Sequence, residues 1–473
     1  MVASVLEAGR VYWVFLQARV LMICASPTFS ISGAKAEMTY AEIAQASDEA
    51  VFGAPLISDA AVARLRARGQ PDVLPALALV LRYRGGNFAL LEAINTLAHA
   101  NTPMQGWRDL MIWWEGEENL RAHESYRSLK VKLLNRIDRN FQRFIGEEHT
   151  KNHQMDIRLS EVVWGGVSVD GIPSLDYPEM IPSSEADYLS DNDLVFGISI
   201  NGDARAYPLR ILGWHEMMND IVGGVPVALA YCTLCGSAIL FKTGIKGREN
   251  PLVFGSSGLL YRSNKLMFDR ETDSLWNQFT GRPISGPSRE TGIELQVLAT
   301  TTTTWKQWKN RHPKSSVLSL NTGFDRDYDE GVVYREYFED KDLMFPAIVG
   351  DESIARRKDF VFGIRDAGQA RAWPLAAFAK TPVINDTIGS RSVLLIGDPE
   401  MRTVRAYDRA GQTFTATSLT DRVLSGGEEW TVTEDALIGP ENQRFDRIAG
   451  RLAFWFAWDG YFGNQSSIYS SHK

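Results

Sequence analysis

A stretch of fifteen residues occurs twice at a spacing of 166: residues 195–209 read VFGISINGDARAYPL and residues 361–375 read VFGIRDAGQARAWPL. The register continues, since Asn219-Asp220 answers to Asn385-Asp386 and Gly223 to Gly389. With gaps, Met267-Phe268-Asp269-Arg270 also resembles Ala406-Tyr407-Asp408-Arg409, and PISGP near Pro283 resembles VLSGG near Val423. A chain that repeats its packing code is expected to build two related modules, packed about a pseudo-two-fold axis. The repeated unit reads as strand, turn, strand: in LVFGISI-Asn201-Gly202-DARAYPL the Asn-Gly pair supplies the two positive φ angles of a tight hairpin.

The surrounding texture agrees. Beyond Gly146, short runs of Val, Ile, Phe and Tyr alternate with the turn dipeptides Gly165-Gly166, Asp170-Gly171 and Gly223-Gly224, a β-hairpin signature. Between Tyr40 and Gly146 apolar residues instead recur at three and four, in DAAVARLRARG, PDVLPALALVLRYRGG, NFALLEAINTLAHAN and TPMQGWRDLMIWWEGEENL. These predict antiparallel helices resembling HEAT-type pairs, without a strict period. Asp59 and Thr102 are the expected N-caps, with Pro71 and Pro103 near helix starts, and a charged helix is expected over residues 117–145. The predicted class is therefore mixed: a HEAT-like all-α domain, then a mainly β domain of two homologous lobes.

Before these lies an apolar stretch, residues 11–31, broken by Arg19 and followed by Ala34-Lys35-Ala36, the small-x-small form of a signal-peptidase site. The expected division is an export segment over 1–36, a helical domain over 37–150, a first β lobe over 151–345 and a second over 346–473. A lipid anchor at Cys24 is disfavoured by the bulky Ile23, and no later run reaches the length of a membrane span. Periplasmic or secreted location follows as the expectation. A net charge of −8 and a pI near 5.6, without a Lys/Arg-rich run, argue against a nucleic-acid partner. A small-molecule ligand of unspecified class, or a protein partner on the helical domain, fits better.

Chemistry concentrates in WHEMMNDIVGGVPVALAYCTLCGSAILF, residues 214–241. Of the three cysteines, Cys24 lies in the leader, which leaves Cys232 and Cys235 as a single CxxC. At the repeat spacing, His215, Glu216, Cys232 and Cys235 become Thr381, Pro382, Asp398 and Met401. The scaffold is shared and the reactive groups are not, so these groups read as additions to a fold that does not need them. A CxxCG turn is half of a knuckle-type metal site, and His215, with His312 as a further candidate, would complete a Cys/Cys/His centre for zinc or copper. Thiol-disulfide redox use of Cys232 and Cys235 is the alternative. Against it, the apolar GSAILF after the pair reads as a strand, where thioredoxin-type pairs open a helix. A non-catalytic envelope scaffold is the third reading.

Other signatures are absent. Tyr231 stands where a zinc deaminase has Pro, Asn219 replaces the second histidine of H-E-x-x-H, and Gly236 replaces the histidine of a c-type haem motif. Glu216 is the candidate catalytic group, as a base beside His215; Asp220, retained in the repeat as Asp386, reads as a turn or cap residue. Asp269 and Arg270 are expected to form a structural ion pair, and Ser263 and Asn264 to be pocket groups.

Residues 157–460 resemble the bacterial domain of unknown function (DUF) family 3179, through NGDARAYPLRILGWHEMMNDIVGG, YCTLCGSAILF, SGLLYRSNKLMFDRETDSLWNQ, TTWKQWKNRHP and AFWFAWDGYF in that order. The resemblance implies an exported or envelope-associated protein and carries no activity with it.

Overall fold

The computed structural model describes residues 37–146 and 155–470, and the expected export segment, with Cys24, lies outside the described residues. Seven α-helices come first among the described residues: α1 Tyr40–Phe52, α2 Pro55–Arg68, α3 Leu74–Arg84, α4 Phe88–Ala98, α5 Trp107–Gly116, α6 Tyr126–Ile137 and the short α7 Gln142–Ile145. Their ends are set by local chemistry. Thr39 and Glu42 form a reciprocal capping box at the start of α1, Asn87 caps α4, and Gly69 ends α2 in the left-handed region. The expected caps are displaced. Asp59 lies inside α2 and accepts from Asn87 Nδ2, because Pro55 already opens that helix, and α5 starts at Trp107, five residues past Thr102. Residues 117–125 are not helical either.

The helices join the β region through a shared core. Leu134, Phe141, Phe144 and Ile145 pack on Val162, Leu259, Leu266 and Phe268. Arg158 closes the C-terminal end of α5 by donating to the carbonyls of Trp114 and Glu115, and Trp114 Nε1 donates to Ser160 Oγ. Below Trp114 sits the buried Glu115, whose pKa burial and then Glu161 raise to about 8.

In the β region the hairpin Leu194–Ile200 with Asp203–Pro208 forms as expected, with Asn201 and Gly202 at φ 52° and 85°. Strand Thr301–Thr304 adds to it antiparallel on one side, and Ser316–Leu318 runs parallel to it on the other. A second sheet has the same plan. Phe360–Asp366 and Gln369–Pro374 form its hairpin, Arg451–Phe454 adds antiparallel and Ser466–Ile468 parallel. Each hairpin leads into a three-stranded meander: Met217–Val222, Val225–Cys232, Ser237–Lys242, and Val383–Ile388, Arg391–Asp398, Thr403–Asp408.

The packing devices recur too. A methyl group at Gly197 would overlap the Trp308 ring and one at Gly363 the Trp458 ring, and both tryptophans are fully buried. Glycine leaves the hollow that the indole fills. Asp220 accepts from Tyr207 and Arg205, as Asp386 accepts from Trp373 and Arg371, so these aspartates anchor the hairpins and do not cap turns. Asn219 exchanges two hydrogen bonds with the backbone of Phe254, and Asn385 does so with Phe414. Phe254 meets Trp276 edge-on, and Phe414 meets Trp430 in the same way. The gapped likeness of residues 267–270 to 406–409 is not kept: Asn264–Asp269 pairs with Phe254–Tyr261, whereas Thr403–Asp408 is the third meander strand. Nor do Asp269 and Arg270 pair. Asp269 accepts from Thr272, Trp276 and Ser288, and Arg270 reaches Asp170, because neighbours along a strand point to opposite faces.

Candidate functional site

Val225–Cys232 and Ser237–Lys242 are paired up to Cys232 opposite Ser237, which leaves Thr233, Leu234, Cys235 and Gly236 to make the turn. Cys235 N–H donates to Cys232 O, and Gly236 adopts φ 59°. This tight turn holds the two cysteine Cα atoms 5.3 Å apart, within disulfide range, and the pair is bonded. The run after it is a strand, as the sequence predicts.

Glu216 grips the residues on both sides of Cys232. Its carbonyl accepts from Tyr231 N–H at 2.8 Å, and its Oε1 accepts from the Thr233 hydroxyl at 2.7 Å. It can do so because helix Leu209–His215 ends there, with Glu216 at φ 54° turning its side chain back toward the meander. Lys265 completes the clasp: Nζ donates to Glu216 O at 3.1 Å and to Oε2 at 3.3 Å. Both side chains are buried, and burial pulls the Lys265 ammonium below the usual lysine range against the opposing pull of Glu216.

Cys235 faces a different neighbour. The turn Arg262-Ser263 joins two strands with both residues at positive φ, 48° and 63°, and so presents the next residue, Asn264, to the sulfur. Asn264 Oδ1 lies 2.7 Å from Cys235 Sγ, while its Nδ2 donates to Arg262 O, which fixes the oxygen toward the cysteine. Ser263 contributes only its carbonyl, 3.8 Å from the same sulfur.

Two more segments enclose the turn. From residues 331–339, Tyr337 OH donates to Leu234 O, and Lys358 Nζ sits 3.5 Å from the Tyr337 ring centroid. From the second sheet, Phe454 N–H donates to Cys235 O. Phe360 and Phe454 pack together over Gly236, where an added Cβ would lie 2.8 Å from Phe360. Cys232 keeps 2% of its surface exposed and Cys235 none. Beside them a cavity of about 970 Å³ is lined by Tyr231, Gly236, Phe360, Phe454 and Arg402.

His215 is not brought to the cysteines. Its Nδ1 donates to Pro173 O at 2.9 Å, so the neutral ring takes the Tyr328 hydroxyl on Nε2 at 2.6 Å. Both nitrogens are thus engaged, and burial lowers the pKa of the ring, the Pro173 carbonyl opposing. The Glu216 carboxylate is bonded to Thr233 and Lys265, and the His215 ring nitrogens to Pro173 and Tyr328. His312 is elsewhere, packed on Trp308 and 3.8 Å from Glu434, which Arg405 and Arg447 already hold. Among the described residues no three His, Cys, Asp or Glu side chains converge to hold a metal, and neither His215 nor His312 joins the two cysteines. The physical reason is directional: helix Leu209–His215 points its last ring back at Pro173, away from the meander turn.

Cys232, Cys235, Glu216, Ser263 and Asn264 are therefore brought together, and His215 and His312 are not. Sequence reasoning missed Lys265, Thr233 and Tyr337. Lys265 left a signal, a lone lysine beside the apolar run Leu266-Met267-Phe268 of a buried strand; Thr233 and Tyr337 left none.

The family model described as "Protein of unknown function (DUF3179)" matches residues 169–465, a span that contains every residue of this site. No curated protein and no solved structure matches the chain.

Proposed function

The chain belongs to the DUF3179 family, and from that premise we propose that Cys232 and Cys235 form a redox-active dithiol/disulfide pair serving a dithiol partner. The observation that carries this reading is the setting of the bonded pair: Glu216 and Lys265 clasp the residues around Cys232, and Asn264 faces Cys235. In the reducing direction a partner thiolate attacks Cys232, the residue of the two that keeps some exposed surface. The S–S bond breaks, a mixed disulfide forms, and Cys235 leaves as a thiolate that takes up a proton. The partner's second thiolate then attacks the mixed disulfide and frees Cys232. Two electrons and two protons enter the pair, and the partner becomes a disulfide. In the reduced state the Cys235 thiol would donate to Asn264 Oδ1, which favours the neutral thiol and leaves Cys232 as the nucleophile. Glu216 and Lys265 are positioning residues.

Supporting features extend to the rest of the expected picture. The paired glycine–tryptophan, aspartate and asparagine devices favour two homologous β lobes, of which only the first has the site. A bonded pair suits an oxidising compartment, which favours export. Contact between successive helices, α1 with α2 and α3 with α4, favours the HEAT-like description, and the exposed Leu56 and Phe88 favour a partner-binding role for that region. Zinc or copper remains a reading for the reduced pair alone, with two thiolates and without His215. Reduction by a dithiol, alkylation and mass counting of the labelled cysteines tests the redox reading. Reversible gain of two labels on Cys232 and Cys235 supports it, and a pair that resists reduction in the folded chain rejects it. Metal content of the anaerobically reduced protein tests the other reading.

A further inference from the structure

A second cavity, of about 550 Å³, opens where the edge strand Gln296–Leu298 faces the second sheet. Arg365, Arg391, Arg447 and Arg451 line it against Glu294 and Asp366. Three of these arginines have carboxylate partners: Arg365 pairs with Glu294, Arg391 with Asp408 and Asp366, and Arg447 with Glu434. Those carboxylates are themselves shared, Glu294 with Arg282 and Glu434 with Arg405 and Arg311. Arg451 differs. It is 4% exposed, its side chain donates to the Phe279 carbonyl and lies 6.0 Å from the Phe279 ring centroid, it has no carboxylate partner among the described residues, and its Nε is buried without a hydrogen bond. Burial, and then the like charge of Arg365, lower its pKa to about 9.

An isolated buried guanidinium is costly unless an anion answers it. A planar fork of N–H donors recognises carboxylate or phosphate oxygens in bidentate fashion. We propose that this cavity binds a small oxyanion, a phosphate or a compact dicarboxylate, with Arg451 at its base and Arg365 and Arg391 at its rim. The site is separate from the cysteine turn and does not depend on the redox reading.

Calorimetric titration of the full chain with inorganic phosphate, and separately with succinate, at constant ionic strength set with chloride, tests it. Saturable binding of one of the two at a single site is expected, and which one binds tells phosphate from carboxylate chemistry. Arg451→Met should abolish the binding, and Arg365→Gln should weaken it by about tenfold or more, the loss typical of a hydrogen bond between charged groups. Should the buried Arg451→Met chain fail to fold, the rim variant decides the matter. No saturable heat with either anion, or binding untouched by Arg365→Gln, would overturn the proposal.

Discussion

Removal of Lys265 gives the sharpest test of the clasp around Cys232. Lys265 is 3% exposed and lies against the Glu216 carboxylate and carbonyl, and among the described residues Glu216 has no other ion-pair partner. In Lys265→Met the methionine fills most of the stem volume, so the loss comes from a carboxylate left buried with one hydroxyl partner, Thr233. Breaking one side of a buried pair costs roughly 3–5 kcal/mol, and Glu216→Gln should cost a similar amount by stranding the ammonium. The double variant, Lys265→Met with Glu216→Gln, has no buried charge and should recover part of the loss, giving a coupling of about 2–3 kcal/mol. Urea unfolding followed by tryptophan fluorescence measures all four chains. Strictly additive losses, or a Lys265→Met effect below about 1 kcal/mol, would refute the buried pair, since an exposed pair is worth no more than that. The single variants should also loosen the turn and make the disulfide easier to reduce, with about 1.4 kcal/mol appearing as about 30 mV.

The remaining predictions concern the backbone of the turn and a distant acid. Gly236→Ala places a methyl 2.8 Å from Phe360 on a residue at φ 59°, and strain plus overpacking should lower stability by about 2–4 kcal/mol in thermal or urea unfolding; unchanged stability would mean that Phe360 does not close over the turn. For Glu115, the folded pKa of about 8 stands above the ordinary 4.5, so the folded state binds the extra proton between those values. Its contribution is therefore complete at acid pH and is lost as pH rises toward about 8; Glu115→Gln should flatten that fall in the unfolding midpoint, and an unaltered pH profile would show that Glu115 is not the group responsible.

The parts of this chain that were legible in the sequence are those governed by neighbouring residues. The helical and β textures, the Asn201-Gly202 hairpin and the strand after the cysteines each follow from local periodicity or turn chemistry. The repeat spacing also located matched positions such as Asp220 and Asp386, though it did not say what they bind. Contacts set by distant segments were not legible. His215 is expected at the cysteines because a hairpin would return the preceding segment beside them, yet the end of its helix turns it toward Pro173 and Tyr328. The clasp on Thr233 depends on Lys265 from a strand far along the chain, and only its polarity among apolar neighbours hinted at a buried partner. The cap expected at Asp59 slipped for a local reason: Pro55 opens that helix a turn earlier and leaves Asp59 inside it.

The central claim is that Cys232 and Cys235 are a working redox couple in the folded protein. Equilibration of the purified chain with glutathione or dithiothreitol buffers of graded potential, followed by acid quench, alkylation and mass spectrometry, measures it directly. The account predicts a reversible two-electron transition between about −120 and −270 mV, the range of known thiol-disulfide carriers. A pair still bonded below about −300 mV would be a structural disulfide and would contradict it.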